Sequence, residues 1–347
     1  MRPLDKIFLH ATYRCNADCL HCAVPKGRAI IDPALYKRLL RISADESVSH
    51  LIIGGGEPLL HPQIESMLEQ GHEAGLKVKL ETNARLLDER CLERIAPSLF
   101  QLNISLDGAT AETHDRIRGT HAFETALQVI ASARRLGIDV AVWTAAMTLN
   151  IGELEDLVRR VRSSGAEKLA VLYATPVGNC YANRDSLLVP PTIYYPLMKR
   201  LFFSGDKSFQ IRVAPYTLPA EYLEDFERFS GAASLGLGCL IKDQTILHVD
   251  PLGDIYPCVL LLNRKECSLG NIQEEGLFHA ILNRDPIPWE LVLRSVKEGE
   301  DAAAQREYMG SNCIALANAY DVAIDPRFIE GIPCCPCKTI NKEWENK

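Results

Sequence analysis

The chain has 347 residues, 47% of them hydrophobic and 24% charged, and a formal net charge of −7. That length accommodates one large domain, or a large and a small one, with an ample core. An acidic balance without a basic block excludes a dedicated nucleic-acid surface, and no run approaches the ~18 apolar residues of a membrane span. Twelve cysteines in a chain this long, without an export signal, read as metal ligands in a reducing, anoxic cytoplasm and not as a disulfide framework.

Taken in order, Ile7–Ala11 is a short apolar run and the first expected strand. Asp32-Pro33 opens a helix, Asp as N-cap and Pro at N1, with Leu35, Leu39 and Ile42 on one face. Leu51-Ile52-Ile53 and Val78-Lys79-Leu80 are the next strands, separated by a glycine-rich turn and a helix that stops near Gly75. A helix over Asp88–Ile95 leads to a fourth strand, Gln101–Leu106. The helix from Phe123 to Leu136 ends at Gly137, a C′ glycine. Val140–Ala146 and Lys168–Tyr173 complete the set, joined by a helix that Asn150 and Glu153 open as a capping box. Alternating strands and helices of this kind build a parallel sheet with crossover helices, whose reactive groups sit at the C-terminal ends of the strands.

The first such end carries Cys15-Asn-Ala-Asp-Cys19-Leu-His-Cys22. Three soft thiolates in a CxxxCxxC wrap grip one metal centre from one side, and on a four-iron cubane they leave one iron without a cysteine. A structural zinc site is the rival, but zinc prefers four closed ligands. Gly54-Gly55-Gly56-Glu57-Pro58 follows the second strand, Thr82-Asn83-Ala84 the third, and Ser105-Leu106-Asp107-Gly108 the fourth. Glycines there let backbone approach a ligand closely. Glu57 alone reads equally as a carboxylate answering a helix dipole, and Asp107 as a helix cap.

In this order the four motifs resemble the radical S-adenosylmethionine (SAM) superfamily over residues 6–205. Cys15, Cys19, His21 and Cys22 match its CxxxCx(aromatic or His)C signature. The resemblance implies an incomplete (β/α)6, TIM-like barrel, with SAM held by its amino and carboxylate groups on the open iron of a [4Fe-4S] cluster. Reductive cleavage then yields a 5′-deoxyadenosyl radical that abstracts hydrogen from a substrate C–H. By the same resemblance Gly55, Gly56, Glu57 and Pro58 meet the SAM amino group. Asn83 lines the site (Ala84 stands where the family has glycine), and Ser105 and Asp107 lie near the ribose and sulfonium. Arg118 clamps the carboxylate with its bidentate fork, with Arg116 as rival, and the loop Thr175-Pro176-Val177-Gly178-Asn179 meets the adenine.

The helix–strand rhythm lapses after residue 205, which divides the chain into a core of 1–205 and a small cysteine-rich α+β extension of 206–347. Thr245–Val249 and Asp254–Tyr256 read as a hairpin turned at Asp250-Pro251-Leu252-Gly253. Cys239, Gly253 and Cys258 in C-x13-G-x4-C spacing resemble the SPASM and twitch extensions that hold auxiliary iron–sulfur clusters. The full SPASM run CxxCx5CxxxC is missing. At least one auxiliary cluster, a [4Fe-4S] cluster, is expected on Cys239 and Cys258 plus two of Cys313, Cys334, Cys335 and Cys337, with Cys334 and Cys337 favoured; a second, incompletely ligated cluster and a zinc ion on the hairpin are the alternatives. Of the remaining cysteines, Cys91 reads as a small buried hydrophobe, while Cys180 and Cys267 are candidate hydrogen-atom donors. Peptide maturation is the leading expectation, with flavodoxin or ferredoxin as reductant. Tailoring of a small molecule, a tetrapyrrole or a sugar or aminocyclitol, is the alternative. A barrel starting by residue 6 leaves no fused N-terminal leader-recognition domain, which weighs slightly against the peptide reading. A non-catalytic zinc- or cluster-binding scaffold is the reading of another class.

Overall fold

The structure is a computed structural model that describes residues 4–119, 121–175, 177–206, 208–214, 246–262 and 264–283. The six expected strands are present as β1 (Lys6–Thr12), β2 (His50–Gly55), β3 (Lys77–Thr82), β4 (Gln101–Ser105), β5 (Val140–Ala146) and β6 (Lys168–Tyr173). They lie side by side in chain order, each parallel to the next. The crossovers are helices α1 (Pro33–Asp45), α2 (Ile64–Glu73), α3 (Glu89–Ile95), α4 (Ala111–Arg118), α5 (Phe123–Arg135) and α6 (Leu154–Ser163). Beyond β6 come α7 (Asn179–Ala182), α8 (Arg184–Leu187) and α9 (Pro191–Ser204). No helix among the described residues is long and apolar enough to cross a membrane.

The sheet does not end with six strands. β7 (Gln210–Ala214) pairs parallel with β6, and β8 (Ile246–Val249) pairs parallel with β1 on the opposite edge. β9 (Ile255–Tyr256) then folds back antiparallel on β8, the expected hairpin, with Gly253 in the turn at φ +88°. The result is an open, partial barrel of nine strands ordered β7-β6-β5-β4-β3-β2-β1-β8-β9. Both parallel additions lie past residue 205. β7 reads Gln-Ile-Arg-Val-Ala, an alternating pattern unlike the continuous apolar run of a doubly covered parallel strand.

Strand periodicity divides the side chains between two environments. Ile7, Leu9, Leu51, Ile53, Val78, Leu80, Leu102, Ile104, Val140, Val142, Leu169 and Val171 all join one core beneath the helices. Each such side chain contributes roughly 1.5–3 kcal/mol by its burial. The intervening residues face the barrel lumen, where Ala141 and Ala170 form a separate small apolar cluster with Trp143.

Local signals set most helix starts. Asp32 accepts from the Ala34 N–H at 2.7 Å and Asp88 from the Cys91 N–H at 2.7 Å, and Gly137 takes φ +77° behind α5. The capping box at Asn150 and Glu153 does not form. Asn150 instead accepts from Met147 N–H at 2.7 Å and donates to the carbonyls of Asp107 and Ala145 at 2.7 and 2.8 Å. Glu153 accepts from the Ala109 N–H at 2.8 Å and from the Thr113 hydroxyl. Buried backbone groups left unpaired are costly, so these two side chains satisfy the loops after β4 and β5, and α6 begins through a 3₁₀ turn, Ile151–Glu153.

Candidate active site

The cysteine loop leaves β1 and is pinned at both ends. Tyr13 N–H donates to Ala29 O and Gly27 N–H to Tyr13 O. The middle docks on two other elements: Asp18 and Leu20 N–H groups reach the Arg118 and Ile117 carbonyls at the end of α4, and Asn179 Nδ2 donates to Cys19 O at 2.9 Å. Gly178, at φ +55°, lets the loop after β6 pass directly over Cys22, whose carbonyl would lie 2.5 Å from an added Cβ. The expected adenine loop therefore abuts the cysteine wrap.

Cys19 is buried, Cys22 half-buried and Cys15 exposed. Burial pushes all three thiols up, and Cys15 and Cys22 also sense the negative charge of Cys19 across the loop. Three neighbouring thiols that resist ionisation by themselves fit a cationic centre that would hold them as thiolates. Among the described residues no three ligand-type side chains converge as one metal ion requires.

The glycine motif is built for close backbone approach, but to the protein itself. Gly55 takes φ +131°, and a Cβ on it would sit 2.5 Å from Thr12 O; one on Gly56 would overlap Arg14 O. Gly56 and Glu57 N–H groups donate to Thr12 and Arg14 carbonyls at 2.7 Å each, stitching the loop after β2 beneath the cysteine loop. Pro58 is buried and opens a 3₁₀ turn that Glu57 caps through the Leu59 N–H at 3.2 Å. Glu57 also accepts from Thr82 Oγ1 at 2.8 Å and Asn83 N–H at 2.9 Å. Its carboxyl is fully buried and burial pushes it up to about 7, against those donors. The cap and the candidate site residue are thus one and the same. Asn83 Nδ2 reaches Asn16 Oδ1 at 2.8 Å in the cysteine loop, and Ala84 adopts φ +66°.

Ser105 ends β4 half-buried on the lumen side, in register with Trp143. Asp107 is fully buried two residues on. It receives Arg118 at 2.7 Å, the Ala145 N–H at 2.8 Å and Thr144 Oγ1 at 3.3 Å, with His21 Nε2 at 3.6 Å. Burial works to raise its carboxyl, but Arg118 and His21 outweigh it and hold the group below the usual carboxylate range. Asp107 does not cap α4; Thr110 does, through the Thr113 N–H. Arg116 is exposed, so Arg118 is the arginine directed inward, its Nη1 3.9 Å from Cys19 Sγ. His114 Nδ1 accepts from the Asp107 N–H at 3.1 Å. Sequence reasoning missed the roles of Thr144, His114 and Asn150 around Asp107, since no motif marks them.

Of the C-terminal candidates, Cys239, Cys313, Cys334, Cys335 and Cys337 lie outside the described residues. Cys258 is buried two residues after β9, just before the 3₁₀ turn Val259–Leu261, and Cys267 is half-buried at the end of a second turn. Cys180 is fully buried on α7 within the main core, and burial pushes its thiol up to about 12.

The radical SAM superfamily profile matches residues 9–162, and the profile of SPASM, an iron–sulfur cluster-binding domain, matches residues 239–313. The chain belongs to the radical SAM superfamily. It is similar to the AdoMet-dependent heme synthase of Methanosarcina barkeri, 29% identical over 76% of this chain and 78% of that protein. It is also similar to the mycofactocin maturase MftC of Mycobacterium tuberculosis, 27% identical over 84% of this chain and 72% of that protein. The fold matches SuiB of Streptococcus suis with a TM-score of 0.72 at 16% identity, covering 93% of this chain and 76% of that one. As a radical SAM enzyme with a SPASM extension, the protein uses SAM and iron–sulfur clusters. The cysteine wrap, Glu57 and Asp107 all stand at the C-terminal ends of its strands, as barrel chemistry requires.

Proposed function

We propose that this radical SAM enzyme matures a peptide. The relatives carry this reading: MftC is named as a maturase, and SuiB was solved with its precursor peptide SuiA. SAM and a reduced cluster, when bound, supply a radical that abstracts hydrogen from a C–H bond. Cys15, Cys19 and Cys22 would hold that cluster. Glu57, kept in place by Thr82 and Asn83, presents its carboxyl beside the cysteine loop, where it would receive the SAM ammonium. Arg118, steadied by Asp107, would face the SAM carboxylate. Gly178 and Asn179 lie over Cys22 from the β6 side.

Residues 1–205 would form the radical SAM unit and 206–347 the auxiliary-cluster unit, joined through β7 and β8. Cys239 and Cys258 would ligate the auxiliary cluster with two of the later cysteines, Cys313, Cys334 or Cys337. Of the two hydrogen-donor candidates, Cys267 is the one with access to solvent. A flavodoxin or ferredoxin in a reducing cytoplasm would supply electrons.

The experiment is anaerobic reconstitution followed by iron counting and product analysis. Wild type should hold ~8 Fe, and the Cys15/Cys19/Cys22→Ala variant ~4 Fe, with no 5′-deoxyadenosine under dithionite. A mixed peptide pool should stimulate 5′-deoxyadenosine formation and yield a peptide altered in mass. Stimulation by an iron porphyrin or an aminocyclitol, but by no peptide, would overturn the reading.

A further inference from the structure

The lumen beneath the SAM residues has a chemistry that the superfamily reaction does not use. On β3, Leu80 and Thr82 point away from the lumen, and Lys79 and Glu81 point into it. The position is fixed independently at Gly54, where an added Cβ would lie 2.8 Å from the Phe8 ring and 3.5 Å from Glu81 Cβ. Glu81 immediately precedes Thr82 and Asn83, the residues that hold Glu57. At ~3.3 Å per residue along a strand, its carboxyl faces the space directly below the candidate SAM site.

Asn103, next to Glu81 in the β3–β4 register, donates Nδ2 to Glu81 Oε1 at 3.2 Å. The other end of the amide, Asn103 Oδ1, is buried and has no partner. Among the described residues Asn103 is the one hydrogen-bond donor to Glu81, and Lys79 on the same strand face lends it positive charge. Its acceptors are therefore directed into the lumen together with that of Asn103. Among the described residues the adjoining wall carries the buried Trp143 Nε1, which makes no hydrogen bond, and Arg212 in register with Ala170, while Lys79 stands on the same strand face as Glu81. Ala141 and Ala170 present methyl groups there, beside the half-buried Trp143. Burial pushes the Glu81 carboxyl up to about 7, against the Asn103 N–H and the charge of Lys79 on the same strand face. A cation reaching it from the lumen would hold it ionised.

We propose that Glu81 and Asn103 form a substrate-selecting site for a cationic side chain on an apolar stem, such as a lysine or arginine of the peptide. The stem would lie along Ala141, Ala170 and Trp143, and its charged nitrogen would donate to Glu81 and Asn103 Oδ1. Trp143 adds a π face against which a desolvated cation is favoured. Glu81 is a specificity-determining residue, not a catalytic one, and this assignment rests on the peptide reading above.

The test uses the reconstituted full-length enzyme with SAM and calorimetric titration of ten-residue Gly/Ser host peptides carrying one lysine, one norleucine or one glutamate. n-Butylammonium is the peptide-free probe. A charge-assisted hydrogen bond predicts that the lysine peptide binds at least ~10-fold more tightly than the norleucine peptide. Glu81→Gln should reduce that ratio below ~3-fold, and Asn103→Leu should reduce it in the same direction. The ratio is read within each variant, so general misfolding, which removes both affinities, is not mistaken for lost selectivity. The wild-type series decides the matter even if neither variant folds. Equal binding of the three peptides would overturn the Glu81 assignment and leave the peptide reading intact. Binding of n-butylammonium but of no peptide would uphold the acidic site and overturn the peptide reading. Binding of no probe would overturn the site.

Discussion

Asp107, after β4, and Arg118, in the last turn of α4, meet at 2.7 Å, the carboxylate fully buried and the guanidinium 11% exposed. Neither reaches water freely, so each depends on the other for its charge. Removing one member of such a pair leaves an uncompensated buried ion. Asp107→Ala should cost roughly 3–5 kcal/mol. The double variant Asp107→Ala/Arg118→Leu should be more stable than the sum of the two singles, because it leaves no orphan charge. Urea unfolding of the four proteins measures both. Additive losses would mean that the pair contributes no coupling.

Ala84 is buried at φ +66°, where the family's motif has glycine. A Cβ in the left-handed region costs roughly 1–2 kcal/mol, while glycine costs roughly 0.5–1 kcal/mol more chain entropy on folding. Ala84→Gly should therefore be neutral, or stabilising by up to about 1 kcal/mol. Ala84→Val, β-branched at the same φ, should destabilise by more than ~2 kcal/mol. Thermal melts of both variants test the sign, and a clear loss on Ala84→Gly would show that the methyl contact outweighs the strain.

His248 on β8 and His10 on β1 share a 3.3 Å hydrogen bond and a stack with Phe8. Burial pushes His248 down to about 3 and holds His10 well below its ordinary range. An unfolded histidine takes its proton near pH ~6.5, whereas the folded one refuses it until far lower. The unfolded chain thus binds more protons below that pH. Stability is at its plateau above pH ~6.5 and falls as acid is added, at about 1.4 kcal/mol per pH unit for each such histidine. His248→Phe keeps the ring stack and should flatten this slope between pH 6.5 and 5, as seen by unfolding at several pH values. An unchanged slope would place the pH dependence elsewhere.

Cys180 and Cys267 differ in access: the first is fully buried in the main core and the second half-buried at the turn Lys265–Cys267. Cys180→Ala should lower stability by about 1 kcal/mol through a small cavity while substrate turnover persists. Cys267→Ala should leave the melting temperature near that of wild type. If Cys267 quenches the substrate radical, this variant cleaves SAM but accumulates no finished product. Loss of turnover in a well-folded Cys180→Ala variant would reverse the assignment.

Much of the fold was legible in the chain. Apolar runs at strand spacing, Asp32 and Asp88 before their helices, and Gly137 after α5 each state a local preference, and each is where the pattern places it. The cysteine spacing, with Gly55, Glu57, Asn83 and Asp107 after successive strands, likewise points to one candidate site, because barrel topology brings the ends of all strands to one face. Local pattern misleads where a side chain has a distant partner to satisfy. Asn150 has the form of a cap, but two buried carbonyls across the loops claim it. β7 has a weak pattern and β8 reads as one arm of a hairpin, and only pairing with β6 and β1 makes them barrel strands. Spacing and periodicity, which operate within a few residues, determined the element types, the thiolate wrap and the family. Tertiary structure alone decided that Arg118 is bound to Asp107, that Glu57 rests on Thr82 and Asn83, and that Glu81 faces Asn103 in the lumen. Those contacts join residues from separate strands and helices, and their energies come from burial and charge that exist only once the sheet has closed around them.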